Sequence, residues 1–171
     1  DGQWAGIDLT TSRVRSRPRR PVVTAMRSTL DTPDKMARAA TALGDAPRLK
    51  VKVDRSAPAT LLAAGRAAAP KPKMIVDPNE SWTIDEVRGL QGLMTDLRID
   101  LLEQPLPADA DGDLIGFRSA SPIAADESVH VAADLDALPN GYGVVNIKLD
   151  KTGGLTAALE LADAARARGL G

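Results

Sequence analysis

KMIVDPNESWTIDEVRGLQGLMTDLRIDLLEQP, residues 73–105, is the stretch that decides the fold. It opens with the apolar run Met74–Val76, which ends at Asp77 and Asn79, and closes with Ile99–Leu102, which ends at Glu103. Between them TIDEVRGLQGLMTDL reads as one amphipathic helix, with Thr83 as N-cap and Glu86 in capping-box position three residues on. Strand, helix and strand joined by short loops predict two parallel strands with a right-handed crossover. Runs so uniformly apolar do not suit an antiparallel sheet with one wet face.

The same alternation extends in both directions. Upstream, APATLLAAGRAAA (57–69) reads as a helix, LKVKV (49–53) as a strand and DKMARAATAL (34–43) as a helix, with PVVTAMRSTL (21–30) strand-like before it. Thr32 followed by Pro33 is a good helix start, a capping residue before a proline at the first helical position. Downstream, DADGDLIGF (109–117), PIAADES (122–128), DLDAL (134–138) and VVNIKL (144–149) continue the pattern. LTAALELADAARARG (155–169) closes it as a helix with arginines near its end, where they complement the dipole. Residues 21–171 thus form about six β/α units of one α/β domain. Residues 1–20 are expected to be a linker, since their clustered arginines lack the interleaved aromatics of a nucleic-acid arm.

Composition narrows the chemistry. The 171 residues carry a net charge of −1, which gives no electrostatic reason to expect nucleic acid or a lipid surface as partner, and no run approaches the length of a membrane span. With no cysteine and only His130, disulfides, thiolate nucleophiles and multi-histidine metal sites are excluded within this sequence. His130 itself reads as a loop residue. Any metal must be held by oxygen, which favours a hard cation such as Mg2+ or Mn2+.

Chemistry-bearing residues recur at the ends of the strand runs. Alternate side chains of a strand share a face, so Lys50 and Lys52 point the same way, and adjacent ammonium groups are expected to lower the proton affinity of at least one. LKVKV alone also fits a polar edge strand with two solvated lysines. Asp77, Glu103 and Asp126 each follow apolar residues at the carboxyl end of a strand, where sites in parallel α/β proteins are built. Singly each could cap a helix; three at matching places in successive units point to a shared oxygen site for a divalent cation. Lys148 lies two residues after Asn146, so both face the same way, and it can approach a substrate from the side opposite Lys52. Lys151–Gly154, KTGG, lacks the Walker spacing and reads as a glycine-rich turn before a helix.

Taken together, LKVKVD, IVDPNESW, LLEQPLPADAD, PIAADES and VNIKLDKTGGL resemble the enolase superfamily, within it the muconate-lactonizing-enzyme group, and most of all bacterial L-Ala-D/L-Glu dipeptide epimerases. The resemblance runs from about Pro21 to Gly171 and implies a TIM-type (β/α) barrel, here incomplete. It implies Lys52 and Lys148 as opposing acid/bases, with Lys50 tuning Lys52. It implies Asp77, Glu103 and Asp126 as Mg2+ ligands, with Asn79, Glu127 and Asn146 supporting them. The implied reaction is a 1,1-proton transfer alpha to a carboxylate of a small dipeptide, in the cytoplasm, by an enzyme that can be a homo-oligomer. N-acyl amino acid racemase, o-succinylbenzoate synthase and muconate cycloisomerase chemistry use similar residues, and an inactive remnant would keep them.

Two departures accompany the resemblance. D-P-N stands where the family has D-A-N, a change a loop tolerates because proline only forgoes a backbone donor. The family barrel also has two further strands and an N-terminal capping domain, of which residues 1–20 would be at most a remnant. Six units alone would expose sheet edges and an apolar barrel interior, so poor solubility, dimerisation or inactivity is expected of these residues by themselves.

Overall fold

The computed structural model describes residues 25–28 and 31–171. The expected linker over 1–20 lies outside them. Six parallel strands pair in sequence order: β1 (Met26–Ser28), β2 (Arg48–Lys52), β3 (Lys73–Asp77), β4 (Ile99–Glu103), β5 (Ile123–Ala125) and β6 (Val144–Val145). Among the described residues β1 and β6 are the edges of the sheet, which is the open strand–helix succession of a barrel segment. The helices between them are α1 (Pro33–Ala42), α2 (Pro58–Ala68), α3 (Ile84–Gly89) and α4 (Gln91–Asp96), and α5 (Leu149–Thr152) and α6 (Leu155–Ala167) follow β6. None is long and apolar enough to cross a membrane.

Burial explains why the strands look as they do. Leu49 and Val51 of β2 and Val53 just after it are buried, while Lys50 and Lys52 between them are only partly so. Strand pleating therefore sends three aliphatic side chains into the core and both ammonium groups to the other face. Met74 and Val76 of β3 and Leu102 of β4 join the same core, with Leu61, Leu62 and Met94 from the helices. Trp82 is 1% exposed and its indole N–H donates to the Asp54 carbonyl at 3.3 Å, tying the β2 and β3 exits together. Burying these side chains is the main favourable term in such a fold.

Several expectations are met and several corrected. Thr83 and Glu86 form the capping box, with the Thr83 N–H donating to Glu86 at 2.6 Å. Thr32 precedes Pro33 at the start of α1 as expected, but its side chain makes no capping bond; its N–H donates to Asp31 instead. The single helix read over 83–97 is divided at Leu90 into α3 and α4, between Gly89 and Gly92, both poor helix formers. The 109–117 and 134–138 segments form 3₁₀ turns (Ala108–Leu114 and Ala132–Asp136), and β6 is shorter than the run VVNIKL.

Gly141 marks where β6 is fastened to the rest. A Cβ there would lie 2.3 Å from the Leu114 carbonyl oxygen and 2.8 Å from Leu114 Cβ. The loop backbone thus presses directly on the end of the 3₁₀ turn after β4. Gly141→Ala is expected to destabilise the fold by about 1–3 kcal/mol, the usual cost of overpacking, read as a lower urea midpoint with unchanged slope.

Candidate active site

The three sequence-predicted carboxylates come together at the carboxyl ends of three neighbouring strands. Asp77, Glu103 and Asp126 are 1%, 4% and 1% exposed, depths at which unpaired carboxylates do not persist. Their compensation comes from lysines. Lys50 lies 2.7 Å from Glu103 Oε1 and 2.9 Å from Asp77 Oδ2, bridging β3 and β4. Lys52 sits beside Asp77 across the β2–β3 register, at 3.5 Å, and donates to the Asn79 side-chain oxygen. On the far side Lys148 pairs with Asp126 Oδ2.

Asn79, Glu127 and Asn146 lie beside these groups. Asn146 donates to Glu103 Oε1 at 2.7 Å, and the Asn79 amide donates to Glu127 Oε1 at 3.1 Å. The Asn79 backbone N–H returns to Asp77 Oδ1 at 3.0 Å. Pro78 costs nothing here, because the residue before a proline favours the extended conformation that Asp77 already has as the end of β3. Asn79 and Glu80 then take left-handed φ values of 47° and 60°, and Gln104 does the same after Glu103 at 33°. Such strain in non-glycine residues gathers at sites whose surroundings enforce it.

Lys151 was not singled out in the sequence, where KTGG reads as a turn. It donates to Asp126 Oδ1 and to the Asp126 carbonyl, and to the Val129 carbonyl at 3.3 Å. It lies in the short helix α5 that Lys148 precedes, so both lysines leave the β6 end together, which is the signal that could have revealed it. Gly153, at φ 77°, ends that helix in the left-handed conformation.

Burial pushes Lys50 towards the neutral form, but Glu103 and Asp77 outweigh it and hold its proton affinity above the ordinary lysine value. The lowering expected for at least one of the two lysines does not fall on Lys50, because carboxylates from the next two strands flank its ammonium. Lys148 shows the same balance, with burial opposed and exceeded by Asp126. Burial raises Glu103 despite Lys50, whereas for Asp126 burial is overcome by Lys148 and Lys151, which keep it low.

The donor set suits a hard cation. It offers buried carboxylate oxygens and no sulfur, and Asp77 Oδ2 is buried without a well-aligned hydrogen bond, although the Lys50 ammonium is near. As they stand, no three His, Asp or Glu side chains among the described residues converge closely enough to share an ion; ammonium groups supply the positive charge between them.

A parallel strand–helix succession with lysines and carboxylates at the carboxyl ends of its strands is the architecture of a (β/α)-barrel segment. Residues 33–171 match the family described as enolase C-terminal domain-like, and the chain belongs to that family. It is 47% identical over 150 residues to the L-Ala-D/L-Glu epimerase of Escherichia coli (strain K12), covering 86% of this chain and 47% of that relative. A solved enolase family member from Agrobacterium tumefaciens with homology to dipeptide epimerases, holding sodium and L-Ala-L-Glu, is 41% identical with a TM-score of 0.84, over 92% of this chain and 48% of that one. A dipeptide epimerase from Cytophaga hutchinsonii, solved with Mg and D-Ala-L-Val, is 25% identical with a TM-score of 0.81, over 89% and 44% respectively. The chain thus spans about half the length of the curated relatives it matches.

Proposed function

We propose that this chain carries the acid/base and metal-binding face of a Mg2+-dependent epimerase that inverts the carbon alpha to a carboxylate in L-Ala-D/L-Glu dipeptides, a cytoplasmic step in murein peptide metabolism. The observation that carries the proposal is the order of groups around the site. Lys52 on β2 and Lys148 after β6 flank Asp77, Glu103 and Asp126, which lie on the strand ends between them. The kinship with dipeptide epimerases supports the substrate class.

Each group has a distinct task. Asp77, Glu103 and Asp126 would hold Mg2+, with Mn2+ able to replace it; when bound, the ion supplies Lewis-acid stabilisation of the negative charge that develops on the substrate carboxylate. Lys52 and Lys148 move the α-proton, one accepting it while the other donates to the opposite face. Each needs a neutral form for half of the cycle. Asp126 beside it favours the protonated form of Lys148, the form that donates a proton to the substrate. Lys50 stays charged between Asp77 and Glu103 and fixes their spacing, while Asn79 orients Lys52.

The test is α-proton exchange in deuterium oxide with L-Ala-D-Glu and L-Ala-L-Glu, followed by NMR in the full-length protein with and without Mg2+. The expected result is Mg2+-dependent deuterium incorporation with inversion. Exchange on neither dipeptide, under conditions where the protein is folded, would overturn the substrate assignment.

A further inference from the structure

The strand ends that carry Glu103 and Asp126 are joined by one side chain that belongs to none of the roles above. Gln104, immediately after Glu103, is fully buried. Its side-chain oxygen accepts from the backbone N–H of Asp126 at 2.8 Å and of Ser128 at 3.3 Å. Its amide nitrogen lies 2.7 Å from Ser128 Oγ, 3.0 Å from the Leu106 carbonyl and 3.0 Å from the Tyr142 hydroxyl. Tyr142, buried ahead of β6, passes the chain on by donating to Asp111 at 2.5 Å. The Gln104 main chain is equally committed, its N–H donating to Ala124 and its carbonyl accepting from Glu80, both at 2.9 Å. One residue thus touches the exit of β3 through Glu80, continues β4 from Glu103, and grips the exit of β5 at Asp126.

We infer that Gln104 is the positioning residue that sets the spacing of Asp126 from Glu103. This rests on the proposal that those carboxylates bind a divalent cation. Glutamine suits the task because it presents an acceptor and two donors from one planar group without adding charge beside the acids. A fully satisfied buried polar network of this kind specifies a single arrangement of the elements it joins. Its backbone is left-handed, at φ 33°.

The experiment measures Mn2+ binding to the full-length protein by the EPR signal of free Mn2+, beside thermal melts by circular dichroism. Q104M keeps the volume and removes every side-chain hydrogen bond; Q104N keeps the chemistry but is one methylene too short to reach Asp126. Both are expected to bind Mn2+ about 10–100-fold more weakly than the parent, as losses of groups behind metal ligands usually do. R66M, which alters the opposite end of the strands, is the control: it should lower the melting temperature and leave Mn2+ affinity alone. The inference is overturned if a folded Q104M or Q104N binds Mn2+ as tightly as the parent, or if R66M weakens binding equally. If Q104M does not fold, Q104N decides. A parent that takes no Mn2+ at all would instead overturn the metal assignment, and this inference with it.

Discussion

Lys148→Ala is expected to stop inversion of L-Ala-D/L-Glu while leaving the fold in place. A positioned acid/base contributes about 10²–10⁴-fold to such a step, so kcat should fall by that order, and Lys52→Ala should do the same. The two variants should differ in what they retain. If the lysines serve opposite faces, each variant can still remove and return the proton on its surviving face. Lys148→Ala should then incorporate deuterium into one epimer without inverting it, and Lys52→Ala into the other. Lys148 is only partly buried and its one side-chain partner is Asp126, which Lys151 also holds, so its removal leaves that carboxylate paired. Inversion surviving in both variants would rule out the two-lysine mechanism.

Arg66→Met is expected to produce the largest loss of stability. The Arg66 side chain, in the last turn of α2, is 9% exposed and has no carboxylate partner among the hydrogen bonds it makes. Its guanidinium donates to Leu97 and Pro72 carbonyls at 2.8 Å each and to Arg98 at 2.9 Å, with longer contacts to Ala69 and Pro70 at 3.4 Å. These carbonyls end α2 and α4 and lead into β3 and β4. Methionine fills the stem but leaves them without a donor, at about 1–3 kcal/mol for each buried group that water cannot reach. A total near 3 kcal/mol or more is expected from chemical denaturation of the full-length protein. Arg66→Lys should recover only part of it, since one ammonium cannot reproduce the planar fork.

Much of this was legible in the residues, and the exceptions have causes. The strand–helix alternation and the K-x-K parity came through because period 2 and period 3.6 differ sharply over runs such as Arg48–Lys52 and Pro58–Ala68. The carboxylates were visible because each closes an apolar run. What was hidden depends on neighbours distant in sequence. Lys50 keeps its proton because of residues from the next two strands, and Lys151 looks like part of a turn until Asp126 is brought alongside. Gln104 stood in plain view within E-Q-P, yet its contacts at Ser128 and Tyr142 are 24 and 38 residues away. The division of the helix at Leu90 and the 3₁₀ turns follow from local hydrogen-bond patterns that apolar spacing does not report.

The pleat of β2 also constrains how genes for this fold can drift. Core side chains and ammonium groups alternate along the strand and the residue after it, so packing and chemistry share one short run, Leu49–Val53. Losing or gaining a single codon inside that strand would exchange the faces, driving two ammonium groups into the helix layer and three aliphatic side chains towards the acids. Codon changes in the turns before Arg48 or after Asp54 carry no such penalty. Length variation among homologous sequences should therefore cluster in those turns and be missing from the strand.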